Sequence, residues 1–133
     1  MKHFILLLLL LSSALVKAEL AVIVNKNNSD NLTSKQVQDL FLGRTRTFPN
    51  GNIALPIDQA LLRADFYQQL TQKPIEQINA YWARILFTGQ ASPPQQLNDD
   101  QAALQTVQEN KAAISYIEKA HVNANVRVLL ILK

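Results

Sequence analysis

The sequence predicts an α/β fold: a single three-layer domain with a mostly parallel or mixed sheet flanked by helices. Three observations predict it. Apolar runs of strand length alternate along the chain with segments of helical period. Several of those helical segments carry recognisable start and stop residues. Residues 19–133 are enough chain for one ordinary domain with a modest core, and too few for two.

Leu20 to Val24 is a nearly continuous apolar run ending in the polar cluster Asn25 to Asn31, the pattern of a buried central strand. Thr33 and Gln36 then form a capping box, with Leu32 and Val37 placed as a hydrophobic staple. Val37, Leu40 and Phe41 share one helical face, and Gly43 is suited to end the helix in a left-handed conformation. Thr47 to Asn52 is turn chemistry, and Ile53 to Ile57 follows as a strand in which Pro56 requires an unpaired edge or an end. Helical spacing returns at Leu62, Phe66 and Leu70, over about Leu61 to Leu70. A further helix begins with Pro74 at its first position and runs to Phe87, closed by Gly89. Gln90 to Asn98 reads as a proline-bearing surface loop, and Asp99 to Asn110 as a helix with acidic residues in its first turn. Ala113 to Ile117 and Val126 to Leu132 complete the chain as strands.

Residues 1–18 read as a cleavable secretory signal. Lys2 supplies a basic start, Phe4 to Leu11 an apolar run, and Val16 and Ala18 the small residues before a cut at Ala18–Glu19. The alternative is an uncleaved anchor using Phe4 to Val16, for which the apolar run is short. Cleavage places the domain 19–133 in the periplasm or outside the cell. Taking Lys2 and Lys17 from the 13 basic side chains leaves 11 against 10 acidic ones, a net charge of +1. That balance gives no electrostatic basis for nucleic-acid partnership. The absence of cysteine removes disulfides, thiolate metal sites, a cysteine nucleophile and a lipid attachment point together.

Few residues suggest chemistry. His121 is the one histidine of the domain, and without a second histidine or a cysteine it is expected to be a surface residue, with no metal site and no cofactor. Ser115, His121 and Glu118 include the residue types of a triad, but Ser115 lies inside a strand without the glycines of a nucleophile elbow. Asp99 and Asp100 read as cap and dipole residues. Arg44 and Arg46 sit in a loop with no acidic neighbour in sequence and can fork onto an anion. Tyr67, Tyr81, Trp82 and Phe87 are expected to pack between helices. No nucleophile, acid, base and electrophile converge, so the chain is not expected to be an enzyme.

Four stretches of the chain, Ala21–Gln59, Arg63–Leu70, Ile78–Pro94 and Ala112–Ala120, resemble the small proteins related to the periplasmic phosphate-binding proteins of ABC transporters. The most specific part is Leu40-Phe41-Leu42-Gly43, then a basic loop, then Phe48-Pro49-Asn50-Gly51; Ala113-Ile114-Ser115-Tyr116 is similar to a second family strand. The resemblance implies one lobe of a type II periplasmic binding protein, in which a serine-glycine-threonine segment at a helix start cradles phosphate. The matching segment here, Asp58 to Arg63, has neither hydroxyl nor glycine, and Arg63 alone matches a basic residue of the pattern. The expected site is therefore a weak one for phosphate or another small anion, built on Arg63, Arg44 and Gln59. The expected partners are that anion, a periplasmic or inner-membrane protein, and a second copy completing the cleft. The rival expectation is a regulatory module that keeps the fold, has lost the ligand and binds a protein through the Arg44 to Asn52 loop or the Tyr81 to Phe87 helix.

Overall fold

The first strand, β1 (Leu20–Asn25), is buried along its whole length, as its apolar run requires. In the computed structural model, which describes residues 18–133, it lies fourth in a five-stranded sheet. The secretory signal expected over residues 1–18 falls almost entirely outside the described residues. In chain order the other elements are α1 (Ser34–Phe41), β2 (Leu55–Gln59), α2 (Arg63–Thr71), α3 (Ile75–Thr88), β3 (Gln95–Leu97), α4 (Asp100–Glu109), β4 (Ala113–Glu118) and β5 (Val126–Leu132). A short 3₁₀ turn, Lys119–His121, follows β4. The strands lie in the order β3-β2-β4-β1-β5.

The sheet is mixed. β2 runs parallel to both β3 and β4, whereas β1 runs antiparallel to both β4 and β5. Both faces are covered, and β1 and β4 read out the two-residue period of a strand. Leu20, Val22 and Val24 join Ile114 and Tyr116 in a core beneath α1, α2 and α3, while Ala21, Ile23, Ala113 and Ile117 face Ala103 and Val107 of α4. The larger core is aromatic: Phe66 stacks on Tyr116 at 3.7 Å between ring centroids and meets Phe41 edge-on at 4.8 Å. Truncating such a ring to alanine typically costs about 3–5 kcal/mol.

Local chemistry sets the helix ends. Thr33 accepts from the Gln36 N–H, and the Gln36 side chain accepts from the Thr33 N–H, completing the predicted box. At the other end of α1, Gly43 adopts φ +69°, and a Cβ there would lie 2.8 Å from the Trp82 ring. Both conformation and space therefore demand glycine.

The structure revises several boundaries. β2 begins at Leu55, two residues later than expected, because Ile53 turns aside to bridge Thr47. Pro56 is accommodated because β3 pairs only from Ile57 onward, which leaves the proline's missing donor on an open side. α2 begins at Arg63, and Pro74 stands just outside α3 as its N-cap. The expected loop Gln90 to Asn98 contains β3, a three-residue edge strand held by backbone pairing to β2. Phe87, expected to pack between helices, is 94% exposed.

Candidate functional site

β2 and β4 are parallel neighbours, so their C-terminal ends open onto the same edge of the sheet, where β3 delivers the chain into α4. In open α/β sheets, ligands bind in the crevice outside the carboxyl ends of the strands. Here that edge holds a cleft of about 460 Å³, lined by Leu61, Leu62, Leu104, Asp100, Glu118 and His121 among others.

On the β2 side, Asp58 is buried, with 2% of its surface exposed. Its carboxylate accepts from the Tyr67 hydroxyl at 3.0 Å, the Tyr116 hydroxyl at 3.1 Å and Arg63 Nε at 3.3 Å. Burial pushes the Asp58 pKa up to about 6, against the opposing pull of the Tyr67 hydrogen bond and the Arg63 charge. Burial, followed by the Asp58 charge, raises the pKa of both Tyr67 and Tyr116, so both hydroxyls stay protonated and donate. Arg63 also donates to Asn79 at 2.7 Å and lies over the Tyr67 ring at 5.4 Å. As the first residue of α2 it stands at a helix start that no side chain caps. That start offers backbone N–H groups and one guanidinium, the usual means of anion binding, with a carboxylate close behind.

On the β4 side the chemistry is acidic. Asp99 caps α4 by accepting from the Ala102 N–H, as expected from sequence. Asp100 does more than compensate a dipole: it accepts from the Gln59 amide and from the Glu118 N–H, tying together α4, β2 and β4. His121 places Nδ1 at 2.5 Å from Asp100 Oδ2 and 3.8 Å from Glu118 Oε2. The Asp100 hydrogen bond raises the His121 pKa above its ordinary value.

Of the residues expected to bind an anion, Arg63 flanks this edge and Gln59 lies wholly buried beneath it. Arg44 is elsewhere. It pairs with Asp39 at 3.6 Å and lines a recess with Tyr81 and Arg84. The expectation of an unneutralised loop arginine is thus corrected, because the last turn of α1 returns Asp39 to the loop. Arg46 is tied down as well, donating to the Gln90 carbonyl at 2.9 Å. Ser115 donates to the Ile57 carbonyl at 2.7 Å inside the sheet and takes no part in a triad. Sequence reasoning missed the meeting of Asp100, Glu118 and His121. The i,i+3 spacing of Glu118 and His121 at a strand end was its one visible trace.

No protein-family model matches the chain, and no curated protein matches it by sequence. Solved structures do match. A protein assigned as a phosphate ABC transporter substrate-binding protein of Clostridium perfringens, with phosphate bound, shares 20% identity at a TM-score of 0.65, over 84% of this chain and 45% of that one. An ABC-type phosphate transport receptor of Vibrio cholerae shares 18% identity at a TM-score of 0.62, over 84% of this chain and 46% of that one. A candidate phosphate binding protein of Planctomyces limnophilus shares 12% identity at 0.55, over 84% and 41%. The chain therefore spans less than half the length of these proteins, and over that span it has the α/β fold of one lobe of a phosphate-type substrate-binding protein.

Proposed function

We propose that the chain is an exported, non-enzymatic solute-binding module that takes phosphate or a similar small anion weakly at the start of α2. The observation that carries this reading is the fold shared over 84% of the chain with phosphate transport proteins, one of them holding phosphate. The uncapped start of α2 and the guanidinium of Arg63 supply a place for the anion. One feature keeps binding weak: Arg63 is already paired with Asp58, whose carboxylate opposes an incoming anion. Equilibrium dialysis with labelled phosphate tests the reading: saturable uptake that Arg63→Ala removes and Asp58→Asn strengthens supports it, and no saturable uptake refutes it. The secretory part has its own test, since the exported protein should begin at Glu19 by mass; retention of residues 1–18 would contradict it.

A second reading has an observation in its favour. Phe87 and Leu86 are exposed at the end of α3, a surface on which a ligand-free module would seat a protein partner. Uptake of phosphate that requires Arg63 separates the two.

A further inference from the structure

The cleft holds an acidic cluster that an anion does not use. Among the described residues, no lysine or arginine forms an ion pair with Asp99, Asp100 or Glu118; Lys119, adjacent in sequence, pairs instead with Glu19 at 3.1 Å. Asp100 from the first turn of α4, Glu118 from the end of β4 and His121 from the 3₁₀ turn bring one ligand atom each to within 4.8 Å of one another. An ion bound at about 2.0–2.2 Å holds its ligands roughly 3.3–3.6 Å apart when tetrahedral and at most about 4.4 Å apart. The 3.8 Å between His121 and Glu118 is already close to that spacing, while the shorter His121–Asp100 contact is a hydrogen bond that an ion would replace. Glu118 is 37% exposed in its side chain, which leaves it room to swing inward.

A second observation lies beneath the cluster. Gln59, with no exposed surface, sets its amide against Asp100, and its buried Oε1 has no hydrogen-bond partner. A buried amide against a carboxylate, with the Glu118 N–H on the other oxygen, is how the outer shell of a metal site fixes its ligands. The two carboxylates match a divalent charge, and the imidazole favours a first-row transition ion over calcium or magnesium.

We propose that Asp100, Glu118 and His121 form a site for a divalent transition-metal ion, zinc being the probe, with the remaining coordination position open to the cleft. The site is independent of phosphate uptake at Arg63. Titration of the metal-free full chain with zinc, followed by calorimetry, should show one equivalent bound. His121→Ala and Glu118→Gln should each weaken it by about 10–100-fold or more, the loss usual for even outer-shell changes. Both side chains are partly exposed, so both variants should still fold and unfold in one cooperative transition, His121→Ala losing only its hydrogen bond to Asp100. Magnesium in large excess should not displace the zinc. Absence of zinc binding, affinity unchanged in both variants, or displacement by magnesium would each overturn the proposal.

Discussion

Asp58 carries its charge at a cost. Its pKa is 3.8 in the unfolded chain and about 6 in the fold, so between those values the folded protein holds a proton that the unfolded chain has released. The contribution of Asp58 to stability is therefore greatest below about pH 4, falls as pH rises to about 6, and stays lower above that, by on the order of 3 kcal/mol. In Asp58→Asn this fall should disappear, which urea unfolding at a series of pH values will show; a variant retaining the parent's slope would place the titration elsewhere. Gly43 gives a second residue-scale prediction. Alanine there must adopt φ +69° and press a methyl group against Trp82, so Gly43→Ala should destabilise by about 2–4 kcal/mol, combining the left-handed penalty with overpacking. Neither effect was legible in the sequence beyond the choice of glycine. Burial of Asp58 depends on Tyr116, a residue far along the chain whose position only the sheet decides.

At the scale of elements, what local chemistry dictates was readable and what pairing dictates was not. Thr33, Gln36 and Gly43 announce α1 from both ends, and the structure returns that helix with its capping box intact. Thr33→Ala should cost about 1 kcal/mol, measured as a lower denaturation midpoint at unchanged slope, and Thr33→Ser should recover most of it. β5 keeps the span its apolar run implies. β3 could not be read, because Gln95 and Gln96 are exposed and the strand exists only through its hydrogen bonds to β2. The same reason hid the direction of the pairings around β1. Asp100 shows how an element's start can mislead: it satisfies the dipole preference of α4, yet its contacts reach β2 and β4. Arg44 misled in the opposite sense, since its partner Asp39 is five residues away and comes within reach only as α1 ends.

Over the whole molecule, the described chain is one sheet with a helical layer on either side and a cleft at the carboxyl edge of its parallel strands. Among the described residues no helix is long and apolar enough to cross a membrane. The fold was legible because amphipathic period and caps repeat along the chain; the cleft was not, because its residues come from the turn after β2, the start of α4, the end of β4 and the 3₁₀ turn after it. The central claim is that this lobe-like fold still takes a small anion beside Arg63. The most direct test is the melting temperature in phosphate against equal sulfate, compared within the parent and within Arg63→Ala so that each variant's basal stability cancels. Both salts stabilise proteins by exclusion from the surface, and only the difference between them reports binding. Phosphate at about a hundred times its dissociation constant should stabilise the parent by roughly 2.7 kcal/mol beyond sulfate, and Arg63→Ala should lose that difference. Equal shifts in the two salts for the parent protein would contradict the claim.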